Sequence, residues 1–133
     1  MSQRATGSFQ FTRWDEQPFS EIEGGPKLTH AQVSNRFQGD IMGESTLAYL
    51  MVYHDERRAS FSGLERLTGQ LDGRAGSFVL QHSGVFADGT VEATWSIVPD
   101  SATGALRGLR GVGSFVAREG QEQTPYTLEY DFA

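Results

Sequence analysis

The stretch FSGLERLTGQLDGRAGSFVLQHSGVFADGTVEATWSI, residues 61–97, decides the fold because it places two Asp-Gly pairs between segments of alternating polarity. The pairs are Asp72-Gly73 and Asp88-Gly89. An Asp-Gly pair between alternating apolar residues is the strongest short-range signal for a β-hairpin with a two-residue type I′ turn. The stretch therefore predicts three consecutive antiparallel strands.

The two turns also predict which residues lie opposite each other. Counting back from the first turn places Glu65 opposite Leu80 and Gly63 opposite His82, and the second turn places His82 opposite Trp95. One face then collects a mostly apolar set: Phe61, Gly63, Glu65, Leu67, Phe78, Leu80, His82, Phe86, Val91, Ala93, Trp95 and Ile97. The other face of the last two strands carries Gln81, Ser83, Glu92, Thr94 and Ser96. The first face is therefore predicted to be the interior, and Glu65 and His82 lie on it.

The rest of the chain continues the same pattern of short alternating segments separated by turns. The predicted strands are Ala5–Trp14, Lys27–Phe37, Met42–His54, Arg58–Gln70, Arg74–Phe86, Thr90–Pro99, Gly111–Arg118 and Pro125–Phe132. An antiparallel meander of eight strands removes its edges by closing on itself. We predict one all-β domain over residues 1–133, an eight-stranded antiparallel up-and-down β-barrel with a central cavity.

Three local assignments stay open at this level. The segment LTHAQVSNRF also fits a helix, although a strand is favoured. In STLAYLMVY both faces are apolar, so two inward-facing series are possible: Tyr49, Met51 and Tyr53, or Ala48, Leu50 and Val52. The loop VPDSATGALRG, residues 98–108, is either a lid or a long turn.

Composition limits the partners. The chain has no cysteine and a formal net charge of -6, which argues against thiolate metal sites and against nucleic acid as a partner. It has no long apolar run and no signal-peptide pattern, so we expect no membrane association and a cytoplasmic location. Apolar residues on both faces of the third strand predict a homo-oligomer, a dimer or a trimer.

Glu65 and His82 are the candidate catalytic residues. An inward carboxylate in a dry interior is a candidate general acid or base, or a counter-charge to a cationic intermediate, and His82 is a candidate proton partner. The alternative for Glu65 is a purely structural role beside a buried arginine, for which Arg13 has the inward parity, or beside a histidine or backbone groups. For His82 the alternative is packing against Trp95.

The candidate ligand-binding residues are the inward apolar and amide side chains. They are Trp95, Phe78, Leu80, Ile97, Asn35, Tyr49 and Tyr126. Aromatic rings can stack on a ligand or stabilise a cation, although plain core filling explains them equally well. The three histidines, His30, His54 and His82, share no ligand motif, so we predict no metal site and no cofactor.

The segments YLMVY (49–53), FSGLERLTGQLDGRAGSFVLQHSGVF (61–86) and TWSIVPDSATGALRGLRGVGSF (94–115) resemble a family of short bacterial proteins, domain of unknown function 3224. The likeness extends from GSFQFTRWDEQPF to YTLEYDF. That family in turn resembles the allene oxide cyclase-like barrels, which implies a barrel with a central cavity, often oligomeric. Better-known members of that wider group close rings in reactive substrates without a cofactor. No catalytic residue of the plant cyclases can be matched to a position in this chain.

The sequence thus predicts a cofactor-free isomerase or cyclase acting on a small, largely apolar molecule held in the barrel. The main reason is the fold-level resemblance together with the inward Glu65, His82 and Trp95. Two alternatives use the same fold. One is a lipocalin-like protein that binds a small hydrophobic molecule without catalysis. The other is a structural barrel that its own aromatic side chains fill completely.

Overall fold

Eight antiparallel strands close into a barrel in the computed structural model, which describes residues 2–133. Each strand pairs with its neighbours in the chain, and the first pairs with the last. The strands are β1 (Gln3–Ser20), β2 (Lys27–Gly39), β3 (Ile41–Asp55), β4 (Arg58–Leu71), β5 (Arg74–Ala87), β6 (Thr90–Ile97), β7 (Leu109–Arg118) and β8 (Thr124–Phe132). A short 3₁₀ helix, Gly104–Leu106, lies between β6 and β7. The predicted fold class is confirmed.

Both Asp-Gly hairpins have the predicted geometry. Asp72 and Gly73 have φ angles of 49° and 83°, and Asp88 and Gly89 have φ angles of 50° and 81°. Positive φ at both central residues is what a type I′ turn requires, and glycine adopts it without steric cost.

The register that follows from these turns is also confirmed. Glu65 lies opposite Leu80, Gly63 opposite His82, and His82 opposite Trp95. The predicted inward face is the barrel interior, where Glu65 is 0% exposed and His82 is 1% exposed.

Two of the open assignments are resolved by the tertiary structure. The segment LTHAQVSNRF lies within strand β2. In β3 the inward series is the one that contains Tyr49 and Met51, which are buried, whereas Leu50 is 55% exposed on the outer face. Leu64 of β4 is also exposed there, and a second subunit covering this face stays a prediction.

The two ends of the barrel differ. The end that carries the β2–β3, β4–β5 and β6–β7 connections is filled, and we call it the closed end. Here the loop between β6 and β7 packs along β5: Thr103 donates its backbone N–H to the Ser77 carbonyl oxygen at 2.8 Å, and Leu106 is fully buried. The loop is therefore a structural closure, and the alternative of a lid over the cavity is wrong.

Strand β1 runs past the barrel wall at the opposite, open end. It pairs with β8 only from Gln3 to Phe9 but with β2 as far as Ser20. Within residues 2–133, residues 10–20 of β1 have a partner strand on one side only, and we call this segment the arm. A β-bulge between Phe11 and Arg13 shifts the register and exchanges the two faces of the arm.

No helix among the residues that the structure describes has the length and apolar character needed to cross a membrane.

Candidate functional site

A cavity of about 710 Å³ opens at the open end of the barrel. All eight strands contribute to its lining, and the turn at residues 119–121 forms part of its rim. The walls are mainly aromatic: Phe9, Phe11, Trp14, Phe61, Phe86 and Phe115. Asn35 and Tyr49 bring polar atoms to this surface. The volume lies within the range of ~300–1,000 Å³ that is typical of small-molecule sites.

Glu65 lies in the interior beyond the cavity surface and is fully buried. Its Oε2 accepts hydrogen bonds from Asn35 Nδ2 at 2.9 Å and from Ser45 Oγ at 2.5 Å. Its Oε1 lies 2.7 Å from His82 Nε2. Three donors from three different strands thus surround one carboxylate, which compensates for its removal from water. We call Asn35, Ser45, Glu65, His82 and Tyr49 the polar cluster.

His82 connects Glu65 to Tyr49. The Tyr49 hydroxyl lies 3.5 Å from His82 Nδ1, a long hydrogen bond. The imidazole ring also packs edge-on against Trp95, with the ring centroids 5.4 Å apart. Burial, and then the negative charge of Glu65, raise the pKa of Tyr49 above its ordinary value. Tyr49 therefore stays a neutral phenol at physiological pH, with its hydroxyl between the cavity and His82.

Glycines on the inward face make room for the large rings. A Cβ on Gly63 would lie 2.8 Å from the Tyr49 ring, and a Cβ on Gly113 would lie 2.4 Å from Trp95 Nε1. The space opposite His82 that Gly63 leaves is thus partly filled by Tyr49, its partner on β3. The absence of these two Cβ atoms is what lets Tyr49 reach the polar cluster and Trp95 lie across the core.

The sequence-predicted site residues fall into two groups. Asn35 and Tyr49 line the cavity, and they contact Glu65 and His82, respectively. The other predicted ligand-binding residues do not line it and belong to the buried core: Trp95, Phe78, Leu80, Ile97 and Tyr126.

Two of these core aromatic residues use their polar atoms for the barrel itself. Trp95 donates its indole N–H to the Thr127 carbonyl oxygen at 3.1 Å. The Tyr126 hydroxyl accepts the backbone N–H of Ile41 at 2.9 Å and donates to the Gln38 carbonyl oxygen. These hydrogen bonds join strands that are not adjacent in the barrel, β6 to β8 and β8 to β2 and β3, and neither residue lines the cavity.

Of the partners that a structural role for Glu65 predicted, Arg13 does not pair with it, whereas the histidine, His82, does. The bulge in β1 turns Arg13 outward, where it is exposed. The same bulge turns Trp14 inward, so that its ring lies 6.0 Å from that of Tyr49 at the cavity mouth. The change of apolar parity between Phe11 and Trp14 was a sequence signal for this bulge.

Ser45 and Glu16 are the polar residues that the sequence reasoning missed. Ser45 shares the inward parity of Leu47 and Tyr49, so it follows once the face of β3 is known. Glu16 lies on the arm and had no comparable signal.

Glu16 links the arm to β2 and β3 beside the cavity mouth through hydrogen bonds. It accepts hydrogen bonds from the Tyr53 hydroxyl at 2.6 Å, the Thr29 hydroxyl at 2.7 Å and Trp14 Nε1 at 3.1 Å. Burial raises the pKa of Glu16, but these hydrogen bonds outweigh it, so the pKa lies below its ordinary value. The ionised carboxylate therefore holds Trp14 in place at the mouth.

No group of three or more histidine, cysteine, aspartate or glutamate side chains is arranged to bind a metal in the described part of the chain. The polar cluster contains one carboxylate and one imidazole, which are bonded to each other. Its members are linked to one another by hydrogen bonds.

Comparison with known proteins identifies the family. No curated protein matches the sequence. A crystal structure of a protein with unknown function from the DUF3224 family of Shewanella oneidensis MR-1 is similar, with a TM-score of 0.80 and 28% sequence identity. The similarity covers 100% of this chain and 99% of that one. The DUF3224 family profile, described as a protein of unknown function, matches residues 5–130. The chain therefore belongs to the DUF3224 family.

Proposed function

We propose that the protein binds a small, largely apolar molecule in the open-end cavity. The observation that carries the proposal is a cavity of about 710 Å³ with mainly apolar walls and a few polar residues, Asn35 and Tyr49 among them. A mostly apolar pocket with a few placed polar groups is the usual form of a small-molecule site. A barrel that served only as a structural element would be expected to fill this space with its own side chains.

Blocking the cavity tests this proposal. Ala117 is half-buried on β7 and lines the cavity, so Ala117→Trp places an indole in the ligand space. We expect the wild-type protein to bind N-phenylnaphthylamine, whose fluorescence rises in apolar surroundings, and Ala117→Trp to weaken binding by about tenfold or more.

The matched control is Ser114→Trp, which adds the same side chain to the exposed outer face of β7. It should bind the probe as the wild type does. Equal binding by Ala117→Trp, or no binding by the wild type, would contradict the proposal.

Cyclase or isomerase chemistry is the second candidate, and a separate observation favours it. The Tyr49 hydroxyl lies 3.5 Å from His82 Nδ1, and His82 Nε2 lies 2.7 Å from Glu65 Oε1. These contacts form a chain of hydrogen bonds that runs from the cavity lining to Glu65. Such a chain can take a proton from a bound substrate and return it without a cofactor. A cyclase is also what the resemblance to allene oxide cyclase-like barrels implies.

The step we propose is ring closure within one flexible substrate. A substrate hydroxyl attacks a conjugated double bond in the same molecule, which forms a carbon–oxygen bond and moves electrons to the neighbouring carbon. Tyr49 accepts the hydroxyl proton while passing its own proton to His82, and Glu65 stabilises the resulting imidazolium. The proton then returns to the substrate carbon, so the product is an isomer of the substrate. The aromatic walls would hold the two reacting ends together.

Tyr49→Phe tests this second candidate because it removes the hydroxyl but keeps the ring that packs on Phe61. The probe is an ω-hydroxy phenyl enone, which loses its conjugated absorbance when it closes to a phenacyl tetrahydropyran. We expect the wild type to accelerate closure and Tyr49→Phe to lose about 100-fold of that rate. N-phenylnaphthylamine should still bind to the variant. An unchanged rate in Tyr49→Phe, or a wild-type rate equal to that of buffer, would refute the catalytic role.

A further inference from the structure

We infer that the ligand of the open-end cavity carries a hydrogen-bond-donating polar end, an amine in preference to an alcohol, and that this group binds Asn35. This inference rests on the proposed binding function and specifies its ligand. It follows from the orientation of the polar cluster, from the charge of Glu65 behind it and from the aromatic walls.

The orientation of the Asn35 amide is determined by Glu65. The amide nitrogen of Asn35 points at Glu65 Oε2, at 2.9 Å, because a carboxylate oxygen accepts hydrogen bonds and the amide oxygen could not donate one to it. The amide oxygen then points away. Among residues 2–133 no hydrogen-bond donor contacts this oxygen. Every fully buried side-chain polar atom of these residues has a hydrogen-bond partner, so an oxygen without a partner is not fully buried. The oxygen is therefore accessible, and because Asn35 faces inward beside Phe11, the space it meets is the cavity.

Tyr49 supplies a second acceptor. When His82 donates its Nε2–H to Glu65, His82 Nδ1 accepts a hydrogen bond from the Tyr49 hydroxyl. The Tyr49 oxygen then offers its lone pairs to the cavity. Asn35 and Tyr49, the two lining residues that belong to the polar cluster, thus both present acceptors, which a ligand carboxylate cannot satisfy and a ligand amine or hydroxyl can.

The charges around the cavity favour a cation over an anion. Glu65 has no arginine or lysine within salt-bridge distance in the described chain, and the only basic group in contact with it is His82. The rim carries one charge of each sign, Arg118 and Glu119. Trp14 and Phe61 line the walls, and aromatic rings attract ammonium groups over their faces. A ligand carboxylate would meet the Asn35 oxygen with the Glu65 carboxylate directly behind it.

Three probes with the same apolar body test the inference: phenylbutylamine, phenylbutanol and phenylbutyric acid, measured by displacement of N-phenylnaphthylamine. We expect the amine to bind most tightly and the acid at least about tenfold more weakly than the amine. If the acid binds as tightly as the amine, or more tightly, the inference is overturned while the binding function stands. If neither the three probes nor N-phenylnaphthylamine binds, both proposals fail.

The variant Asn35→Leu tests whether the side-chain amide of Asn35 causes the preference for the amine over the acid. Leucine has a similar volume but no acceptor, so the preference for the amine over the acid should fall to less than about threefold. Gln32→Leu is the matched control, because it also replaces a side-chain amide of β2 by leucine but lies on the exposed outer face, outside the cavity lining, and it should keep the order of the three probes. A folded Asn35→Leu protein with the full preference would overturn the inference.

If Asn35→Leu does not fold, NMR of the wild-type protein provides the test. A shift of the Asn35 side-chain amide signals on adding phenylbutylamine supports the inference, and no shift overturns it.

Discussion

The variant Glu65→Leu is expected to lose about 3–5 kcal/mol of folding free energy, whereas Glu65→Gln should stay within about 1 kcal/mol of the wild type. Leucine leaves three buried groups without an acceptor: Asn35 Nδ2, Ser45 Oγ and His82 Nε2. Each unsatisfied buried donor costs about 1–3 kcal/mol. The stability loss in Glu65→Leu therefore comes from the three donors left without an acceptor rather than from the size of leucine.

Glutamine can satisfy the same three groups. Its side-chain oxygen can accept from Asn35 and Ser45, which already share one carboxylate oxygen. Its amide can donate to His82 Nε2 if the histidine proton moves to Nδ1 and is donated to Tyr49. This tautomer can no longer accept a proton from Tyr49, so Glu65→Gln should also stop the proposed ring closure.

Urea denaturation of the three proteins measures the free energies of unfolding. Equal losses for glutamine and leucine would mean that the negative charge of Glu65, rather than its hydrogen bonds, stabilises the interior. A leucine variant as stable as the wild type would mean that the polar cluster contributes no net stability, as replacement of buried ionic groups by apolar ones sometimes shows.

Phe78→Ala is expected to cost about 3–5 kcal/mol of stability without changing ligand affinity. Phe78 is 0% exposed, belongs to the buried core and lies opposite Leu67, away from the cavity lining. Its removal leaves a closed void that the neighbouring strands of the barrel can only partly fill. Urea denaturation gives the free energy of unfolding, and N-phenylnaphthylamine titration gives the affinity.

Phe61→Ala is the matched control for this prediction. Phe61 lines the cavity and packs on Tyr49 with the ring centroids 4.9 Å apart. Its loss enlarges a space that is already open, so the stability should fall less than in Phe78→Ala, and the probe should bind more weakly. Weaker binding in Phe78→Ala than in Phe61→Ala would indicate that the ligand binds in the deeper core, among the residues predicted from the sequence, and not at the open end.

Much of the fold could be predicted because it follows from local chemistry. The two Asp-Gly turns determine the register of three strands, and alternating polarity determines which of their faces is inside. From these two rules alone, Glu65, His82 and Trp95 come together in the interior. The same rules could not orient β3, because both of its faces are apolar and its turns do not select one.

The candidate site was predictable only in part. Glu65 and His82 are neighbours as expected, but the partners that complete the cluster, Asn35, Ser45 and Tyr49, come from β2 and β3, whose registers had no diagnostic turn. The bulge in β1 turned Arg13 outward, although the uninterrupted strand period had placed it on the inward face. One additional residue in a strand is a small local change, yet it turns every later side chain to the other face.

The sequence by itself therefore determined an all-β barrel, the pairing of β4, β5 and β6, and a carboxylate beside a histidine in the interior. Each of these depends on residues close together in the chain, where turn chemistry and the period of two are sufficient. Only the tertiary structure decided that the open end holds the cavity and that Asn35 and Tyr49 are the predicted ligand-binding residues that line it. Those features depend on where eight strands end relative to one another when the barrel closes, and the loop packed at the opposite end leaves the ligand-sized space at this one.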